Sequence, residues 1–323
     1  YGASAGATGD AGFVAAMGPA LNQTAEWTSS INSITAGAWA SGTAMNTPAA
    51  YRFGMGTSTT TLAAGGSPLT GNSEEHDGTS WTEGTNLGTS RYEGGSAGTQ
   101  TAGLAFGGYS TTHEDKTEEY DGSSWTSQNT LNTAGYSQGG FGIQTAAVYT
   151  NRFTPGLTAD TEEYNGTSWS EGNNSSTSRA DVGTAGTLTA GLIFGGQTPP
   201  PVVTGATEEY DGTNWTTGNA MSNTRSQLGG SGIQTAAIAF GGRYTPPGSV
   251  LRDFTEQYDG TTWSTAPSLG TAKRQLSSGR GADGSSSNNA AIAMGGKAPS
   301  VTTATEIFTG ETTAVNIGDF TTS

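Results

Sequence analysis

Adjacent carboxylates are the first residues in this sequence whose types and spacing could carry chemistry. The pair Glu118-Glu119 could supply a general acid and a general base, because two neighbouring carboxyl groups can donate and accept a proton. Equivalent pairs recur at 162–163 and 208–209, however, each inside the same Thr-Glu-Glu-Tyr motif. A catalytic pair has no reason to recur in this way, so we interpret these carboxylates as structural.

Histidine, cysteine and serine offer little further chemistry. The two histidines, His76 and His113, have carboxylates nearby but no ligand spacing that defines a metal site. The absence of cysteine excludes disulfides, thiolate nucleophiles and zinc–thiolate sites. A G-x-S-x-G match at 94–98 lacks the helix that a nucleophile elbow requires. We therefore expect no catalytic residue, no metal and no cofactor.

The net charge of the chain limits the kinds of partner that it can bind. The chain has 12 Lys and Arg against 27 Asp and Glu, a net charge of −15, which repels phosphate backbones and anionic lipids. No stretch of about eighteen apolar residues is present, and the first residues lack the basic and apolar segments of a signal peptide. We expect no nucleic-acid partner and no membrane insertion.

An internal repeat organises the whole chain. The segment 101–108, ending Leu-Ala-Phe-Gly-Gly, returns with small changes at 189–196 and 235–242, and each copy precedes a Tyr-Asp-Gly-x-x-Trp block. Anchoring on the last residue of the Gly-Gly strand counts seven units, at Gly18, Gly66, Gly108, Thr150, Gly196, Gly242 and Gly296. The first unit is degenerate, and the seventh has Thr313 where the tryptophan should stand.

Each unit is expected to form four antiparallel strands, since short alternating runs are separated by Asp-Gly and Asn-Gly turns and no helical apolar stripe occurs. Such a unit, repeated every forty-odd residues, is typical of a propeller blade. We predict an all-β, seven-bladed propeller made by a single domain over residues 1–323. The approximate blades are 1–45, 46–87, 88–131, 132–175, 176–221, 222–269 and 270–323.

Residues that recur in register are predicted to be structural. Strand alternation places the first Glu of each pair on the face of the Tyr, and we propose that it lies between blades and pairs with a registered arginine. The aromatic residues are interpreted as packing between neighbouring sheets. The predicted structural set is Trp39, Trp81, Trp125, Trp169, Trp215, Trp263, Tyr120, Tyr164, Tyr210, Tyr258, Glu118, Glu162, Glu208, Arg91, Arg179, Arg225 and Arg274.

The loops that follow the Gly-Gly strands differ between units, whereas the Asp-Gly turns are uniform. Strand alternation places the varied loops together on one face of the propeller. Aromatic, arginine and proline residues concentrate in these loops, and such residues commonly anchor recognition surfaces. The predicted binding residues are Trp27, Tyr109, Arg152, Phe153, Arg243, Tyr244, Arg252 and Phe254.

The repeat resembles the kelch repeat, in which a Gly-Gly pair is followed by a spaced Tyr and Trp and then by an Arg. Here Tyr120 and Trp125 illustrate the aromatic pair, and Arg179 and Arg225 the arginine. The copper site of galactose oxidase, an enzyme with kelch-like blades, requires a Tyr–Cys cross-link, and this chain has no cysteine. The resemblance implies a propeller fold but leaves activity open.

The repeated sequence motif of the blades and the Gly-, Thr- and Ser-rich, Lys-poor composition are similar to those of kelch-like repeat proteins of marine bacteriophages. That resemblance implies a non-enzymatic protein of the virion surface or the extracellular space, such as a tail-fibre, appendage or capsid-decorating component. Its varied loop face would bind a host-surface glycan or another virion or surface protein, including copies of itself.

Two other functions stay open. The chain could be a secreted bacterial propeller enzyme acting on polysaccharide, or a self-assembling surface-layer or filament subunit. An enzyme is expected to show an axial pocket lined by carboxylates or histidines with shifted pKa values, and an adhesin a broad, shallow loop face. A structural subunit is expected to bury roughly 800 Å² or more in each recurring contact.

Overall fold

A computed structural model of the chain describes residues 4–8, 11–15, 24–28, 31–199, 201–244, 249–279, 288–315 and 321–322, with side chains described between residues 35 and 312. No helix among these residues is long and apolar enough to cross a membrane. The chain divides into two compact units, Ala38–Thr309 and a smaller one formed by Tyr1–Gly37 with Gly310–Ser323. The single domain expected over residues 1–323 stays a prediction.

The smaller unit is formed by the two ends of the chain. Its strands are β1 (Ser4–Thr8), β2 (Ala11–Ala15), β3 (Thr24–Thr28), β4 (Ile31–Thr35), β33 (Thr312–Val315) and β34 (Thr321–Thr322). Strands β1, β2, β3 and β34 form an antiparallel sheet in that order, and β4 pairs with β33. Most of the expected first blade therefore lies in this unit.

The larger unit consists of six four-stranded antiparallel sheets, numbered here as blades 1 to 6. Blade 1 contains β6 (Phe53–Gly56), β7 (Thr61–Gly66), β8 (Thr70–His76) and β9 (Trp81–Gly84). Blade 2 contains β10 (Gly95–Gly98), β11 (Gly103–Phe106), β12 (Thr117–Tyr120) and β13 (Trp125–Ser127). Blade 3 contains β14 (Gly140–Ile143), β15 (Ala146–Thr150), β16 (Thr161–Tyr164) and β17 (Trp169–Gly172).

The remaining blades follow the same plan. Blade 4 contains β18 (Gly183–Thr187), β19 (Ala190–Phe194), β22 (Thr207–Tyr210) and β23 (Trp215–Gly218). Blade 5 contains β24 (Gly229–Ile233), β25 (Ala236–Phe240), β28 (Thr255–Tyr258) and β29 (Trp263–Ala266). Blade 6 contains β30 (Ser277–Ser278), β31 (Ala290–Met294), β32 (Thr305–Thr309) and β5 (Ala38–Ser41). Two hairpins lie in the loops of blades 4 and 5, formed by β20 (Gln197–Thr198) with β21 (Val202–Val203) and by β26 (Arg243–Tyr244) with β27 (Val250–Leu251).

The blades close into a ring. Successive innermost strands contact one another, and β30 of blade 6 contacts β6 of blade 1. The described residues thus form an all-β propeller of six blades with four antiparallel strands in each. The predicted number of seven blades is wrong.

Trp39 explains the miscount. It lies in β5, opposite Phe308 of β32, so it is the outer-strand tryptophan of blade 6. The tryptophan strand counted in the degenerate first unit therefore completes the blade whose own tryptophan was expected at Thr313. A blade assembled from both ends of a chain appears as two incomplete units when the sequence is read linearly.

Small residues predominate in the innermost strands, which approach each other closely, although β6 also carries Phe53 and Met55 and β14 carries Phe141. A Cβ atom on Gly140 would lie 2.6 Å from the Cα of Gly95 in the neighbouring blade. Ser96 instead donates its hydroxyl to the carbonyl of Gly54 across the interface, at 2.9 Å. The axis of the propeller is therefore held by backbone contact and short polar side chains, and larger residues occupy the outer strands.

Aromatic residues and the second Glu of each pair connect adjacent blades. The indole N–H of Trp169 donates to Thr117 Oγ1 at 2.9 Å, and that of Trp263 donates to Thr207 Oγ1 at 3.0 Å. The hydroxyl of Tyr164 donates to Glu119 of the preceding blade at 3.0 Å. The corresponding bonds elsewhere are Trp39–Thr255, Trp125–Ser73, Trp215–Thr161, Tyr120–Glu75, Tyr210–Glu163 and Tyr258–Glu209. The second Glu of the pair thus joins neighbouring blades.

Six buried ion pairs tie the first Glu of each blade to a cation. The pairs are Arg52–Glu74, Arg91–Glu118, Arg152–Glu162, Arg179–Glu208, Arg225–Glu256 and Lys273–Glu306. Each carboxylate also accepts backbone N–H groups from the connector that enters its blade, as Glu162 does from Asn132 at 2.8 Å. The pairs proposed for Arg91, Arg179 and Arg225 are present.

Two arginines were placed wrongly by the sequence analysis. Lys273 Nζ lies 2.9 Å from Glu306, so the structural role predicted for Arg274 belongs to its neighbour. Arg152, predicted to bind a partner through an exposed loop, has a fully buried side chain 2.6 Å from Glu162. In blade 3 the connector position that bears arginine in blades 2, 4 and 5 is Gly135, and Arg152 fills the space beside it. In blade 3 the arginine therefore comes from the segment that packs against the connector and not from the connector itself.

Candidate functional site

Six residues surround the propeller axis where the connectors enter the innermost strands. We call this set the axial ring, and its members are Tyr51, Glu93, Ser137, Asp181, Gln227 and Gln275. Five of them have φ between 55° and 60°, and Ser137 has φ of 150°. Non-glycine residues seldom adopt positive φ, and such strain clusters at functional sites.

Hydrogen bonds run around the whole axial ring. The N–H of Glu93 donates to the carbonyl of Tyr51 at 3.0 Å, and the N–H of Tyr51 donates to that of Gln275 at 2.9 Å. Corresponding backbone bonds join 137 to 93, 227 to 181 and 275 to 227. At the remaining position the N–H of Asp181 donates to the side-chain Oγ of Ser137 at 3.0 Å. The ring holds one residue from each blade in a fixed place.

The side chains of the axial ring meet one another. Gln227 Nε2 lies 2.5 Å from the hydroxyl oxygen of Tyr51 and 3.2 Å from Asp181 Oδ2, and it donates to both. The carboxyl group of Asp181 also makes a side-chain hydrogen bond with that of Glu93. Such a bond requires a proton on one of the two carboxyl groups.

Glu93 and Asp181 form a coupled acid pair. Burial, followed by the neighbouring charge of Asp181, holds the pKa of Glu93 well above its ordinary value of 4.5. Burial also raises the pKa of Asp181, against the lowering effects of the side-chain hydrogen bond with Glu93 and of the charge of Arg243. Two carboxyl groups that interact at such close quarters lose their protons in separate steps. The pair can therefore hold a proton at a pH where exposed carboxyl groups are ionised.

A cavity of about 620 Å³ opens onto this acid pair. Its polar lining includes Glu93, Asp181, Gln197 and Gln227, and its apolar lining is provided by Tyr136, Phe153, Leu157, Pro155, Pro199 and Pro201. The size is within the range of small-molecule sites, which typically combine apolar walls with a few convergent polar groups. The cavity thus offers both stacking and hydrogen-bonding chemistry.

Six pairs of residues surround the axial ring on the loop face. Each pair is an isolated β-bridge. It joins the residue before an axial-ring member to the residue that follows Gly66, Gly108, Arg152, Gly196, Gly242 or Gly296. We call these rim pairs, and they are Ala50/Ser67, Tyr92/Tyr109, Tyr136/Phe153, Ala180/Gln197, Ser226/Arg243 and Arg274/Lys297. The backbone geometry repeats around the rim while the side chains change from blade to blade. Such variation on a constant frame is expected of a recognition surface.

The rim is aromatic on one side and cationic on the other. In blades 2 and 3 the ring centroids of Tyr109 and Tyr136 are 5.5 Å apart, and those of Tyr136 and Phe153 are 5.1 Å apart. His113 packs on the same group, 5.9 Å from Phe153. In blades 5 and 6 the rim pairs carry Arg243, Arg274 and Lys297 instead.

The predicted binding residues fall into four places. Tyr109, Phe153 and Arg243 lie in rim pairs, and Arg152 lies in a buried ion pair. Tyr244, Arg252 and Phe254 form a separate cluster in blade 5, where the guanidinium of Arg252 stands 5.3 Å from both ring centroids. Trp27 lies in β3, and its side chain is outside the described residues.

The axial ring itself was missed by the sequence analysis. Its members recur with the same spacing as the tryptophans, immediately before the Gly- and Ser-rich innermost strands. The sequence signal is therefore a position that recurs at the spacing of the repeat while its residue type changes. The motif search emphasised identical residues, and this position differs in every blade except the last two.

Neither histidine joins the acid pair. His76 takes the place of the repeated tyrosine in blade 1, where its ring packs 4.8 Å from Trp81. Burial lowers the pKa of His76. Across the described part of the chain no group of three or more His, Cys, Asp or Glu residues is arranged to hold a metal ion. The expectation of no metal and no cofactor stays a prediction.

Comparison with solved structures finds the same architecture elsewhere. The solved structure called "Structure of YjhT" matches with a TM-score of 0.63 and 14% sequence identity, over 87% of this chain and 99% of that chain. At that identity the likeness concerns the fold alone, and it agrees that the chain is a β-propeller. No protein-family model matches the chain. No curated protein matches its sequence.

Replacing Glu93 by Gln is expected to make stability less dependent on pH. Because the folded state raises the pKa of Glu93, its contribution to stability is complete below the ordinary carboxyl range and is lost as pH rises through the folded-state pKa. The free energy of unfolding that Glu93→Gln gains over the unsubstituted protein should therefore grow between about pH 4 and about pH 8, as measured by urea unfolding. Glu171→Gln, at an exposed position, is the control. An equal change at both pH values would contradict the assignment.

Proposed function

We propose that this chain is a kelch-type propeller that binds a saccharide in the axial cavity of its loop face without transforming it. The observation that carries the proposal is the cavity between aromatic rim pairs and the hydrogen-bonding groups of the axial ring. A sugar ring has an apolar C–H face and a perimeter of hydroxyl groups. Tyr136 and Phe153 suit the first feature, and Asp181 and Gln227 suit the second.

The place of action that we propose is the surface of a virion, or another extracellular setting. It is supported by the similarity of the repeated blade motif to that of phage kelch-like repeat proteins. It is also supported by the closed ring, which leaves few exposed strand edges. A host-surface glycan is then the natural ligand. Mass spectrometry and antibody labelling of purified particles would test this placement, and absence of the protein from intact particles would contradict it.

Phe153→Ala is expected to weaken saccharide binding about tenfold or more, since aromatic anchors in pockets carry a large share of binding energy. A glycan array followed by calorimetry on the strongest hit measures the effect. The matched control is Phe254→Ala, because Phe254 lies in the Arg252 cluster and does not line the cavity. Equal losses in the two variants would remove the cavity as the binding site.

A second candidate, a hydrolase acting on polysaccharide, is supported by one observation. Glu93 and Asp181 are paired carboxyl groups with raised pKa values that line an axial pocket, which is the arrangement expected of an enzyme. Release of new reducing ends from a bound polysaccharide, abolished by Asp181→Asn while binding persists, would favour this candidate. Binding without any release of products would favour the first proposal.

A further inference from the structure

The cations of this acidic chain are distributed unevenly. Of 12 Lys and Arg residues, six lie in the buried ion pairs, and Lys116 makes an exposed pair with Asp115. Four further cations make no ion pair with any described residue, and they are Arg243, Arg252, Arg274 and Lys297. All four lie between residues 243 and 297, in blades 5 and 6. Unpaired positive charge is thus concentrated at one side of the loop face.

Arg243 and Arg274 are held beside the cavity by amides that line it. One guanidinium nitrogen of Arg243 donates to Gln197 Oε1 at 3.1 Å, and one of Arg274 donates to Gln227 Oε1 at 3.2 Å. A guanidinium group has five N–H donors, and each of these hydrogen bonds uses one of them. Both guanidinium groups are therefore oriented while retaining donors for a ligand.

We propose that Arg243 and Arg274 bind an anionic substituent, a carboxylate or a sulfate, on the saccharide that occupies the axial cavity. The inference rests on the proposed saccharide-binding function and names the class of sugar. Guanidinium groups suit planar carboxylates and sulfates because they present several N–H donors in a fixed geometry. In a chain of net charge −15, a local cluster of unpaired cations also selects where an anion can approach.

The two sides of the rim then have separate tasks. The aromatic rim pairs of blades 2 and 3 stack against the sugar rings, and the cationic rim pairs of blades 5 and 6 hold the charged group. The axial ring lies between them and places the polar side chains of Asp181 and Gln227 in the lining of the cavity, within reach of the sugar hydroxyl groups. The charges of Arg243 and Arg274 also act on Asp181, and a neutral sugar would bring no anion to their remaining donors.

Calorimetry with three oligosaccharides of matched length tests the inference: an oligogalacturonate, a sulfated galactan fragment and a neutral galactan fragment. The protein is expected to bind at least one anionic oligosaccharide more tightly than the neutral one. Arg243→Gln and Arg274→Gln should each weaken that binding by about ten- to hundredfold, the usual effect of losing a charge-assisted hydrogen bond. Lys116→Gln removes the same charge outside the cavity and should leave affinity unchanged.

The outcomes separate this inference from the function on which it rests. Tight binding of the carboxylated fragment alone, or of the sulfated fragment alone, supports the inference and identifies the anion. Equal binding of neutral and anionic fragments, unaffected by either arginine variant, overturns the inference and leaves saccharide binding intact. Failure of all three to bind, when a glycan array is also negative, contradicts the proposed function itself. Unfolding in urea verifies that each variant is folded.

Discussion

Replacing Arg225 by Met is expected to destabilise the folded protein by about 3–5 kcal/mol, the usual cost of removing one partner of a buried ion pair. Arg225 NH1 lies 2.7 Å from Glu256 Oε2, and neither side chain has exposed surface. The variant would leave the Glu256 carboxylate in the protein interior with the backbone N–H of Ser222 as its remaining partner, at 2.8 Å. Equilibrium unfolding in urea measures the loss.

Two further variants make this result specific. Arg225→Met combined with Glu256→Leu removes both charges and should recover much of the lost stability, because no unpaired charge then stays buried. Lys116→Met breaks an exposed pair, in which Lys116 Nζ is 3.3 Å from Asp115, and should change stability by less than about 1 kcal/mol. If Arg225→Met cost no more than Lys116→Met, the buried pairs would not stabilise the ring.

Local pattern was sufficient to predict the blade itself. The Thr-Glu-Glu-Tyr block forms the strand Thr117–Tyr120, and the next strand, Trp125–Ser127, begins at the repeated tryptophan. Alternation and turn residues determine such strands within a few residues of chain, as Asp121 shows by accepting the N–H groups of Ser123 and Ser124 at 2.8 Å. These signals are local, so a single sequence contains them.

Features that depend on distant parts of the chain were predicted less well. The number of blades depends on which strand Trp39 joins, and linear order does not reveal that its partner strand ends at Thr309. The ion pair of blade 3 depends on a space beside Gly135 into which Arg152 extends. In both cases the relevant contact joins positions that no motif links.

Only part of the candidate site could be predicted, because some of its residues lie far apart in the sequence. The varied loops identified Tyr109, Phe153 and Arg243, because bulky residues stand out in loops between repetitive strands. The acid pair was not identified, since Glu93 and Asp181 lie in connectors of different blades and approach each other only when the ring closes. A comparison of residues at one register position across all blades would have revealed them.

Replacing Trp39 by Ala is expected to destabilise the propeller by about 3–5 kcal/mol, the range for removing a large packed aromatic side chain. The Trp39 ring lies 4.9 Å from that of Phe240 and 5.3 Å from that of Phe308, and its indole N–H donates to Thr255 at 3.0 Å. The loss should also open the ring locally, because β5 is the strand through which the N-terminal part of the propeller completes blade 6.

Trp263 provides the matched comparison. Its ring lies 4.9 Å from that of Phe194, and its N–H donates to Thr207, so Trp263→Ala removes equivalent contacts within a blade whose strands are continuous in the chain. Hydrogen exchange should separate the variants: Trp39→Ala should accelerate exchange in β32, whose edge β5 covers, whereas Trp263→Ala should affect blade 5. Unchanged protection of β32 in Trp39→Ala would mean that the ring is closed by contacts other than this strand.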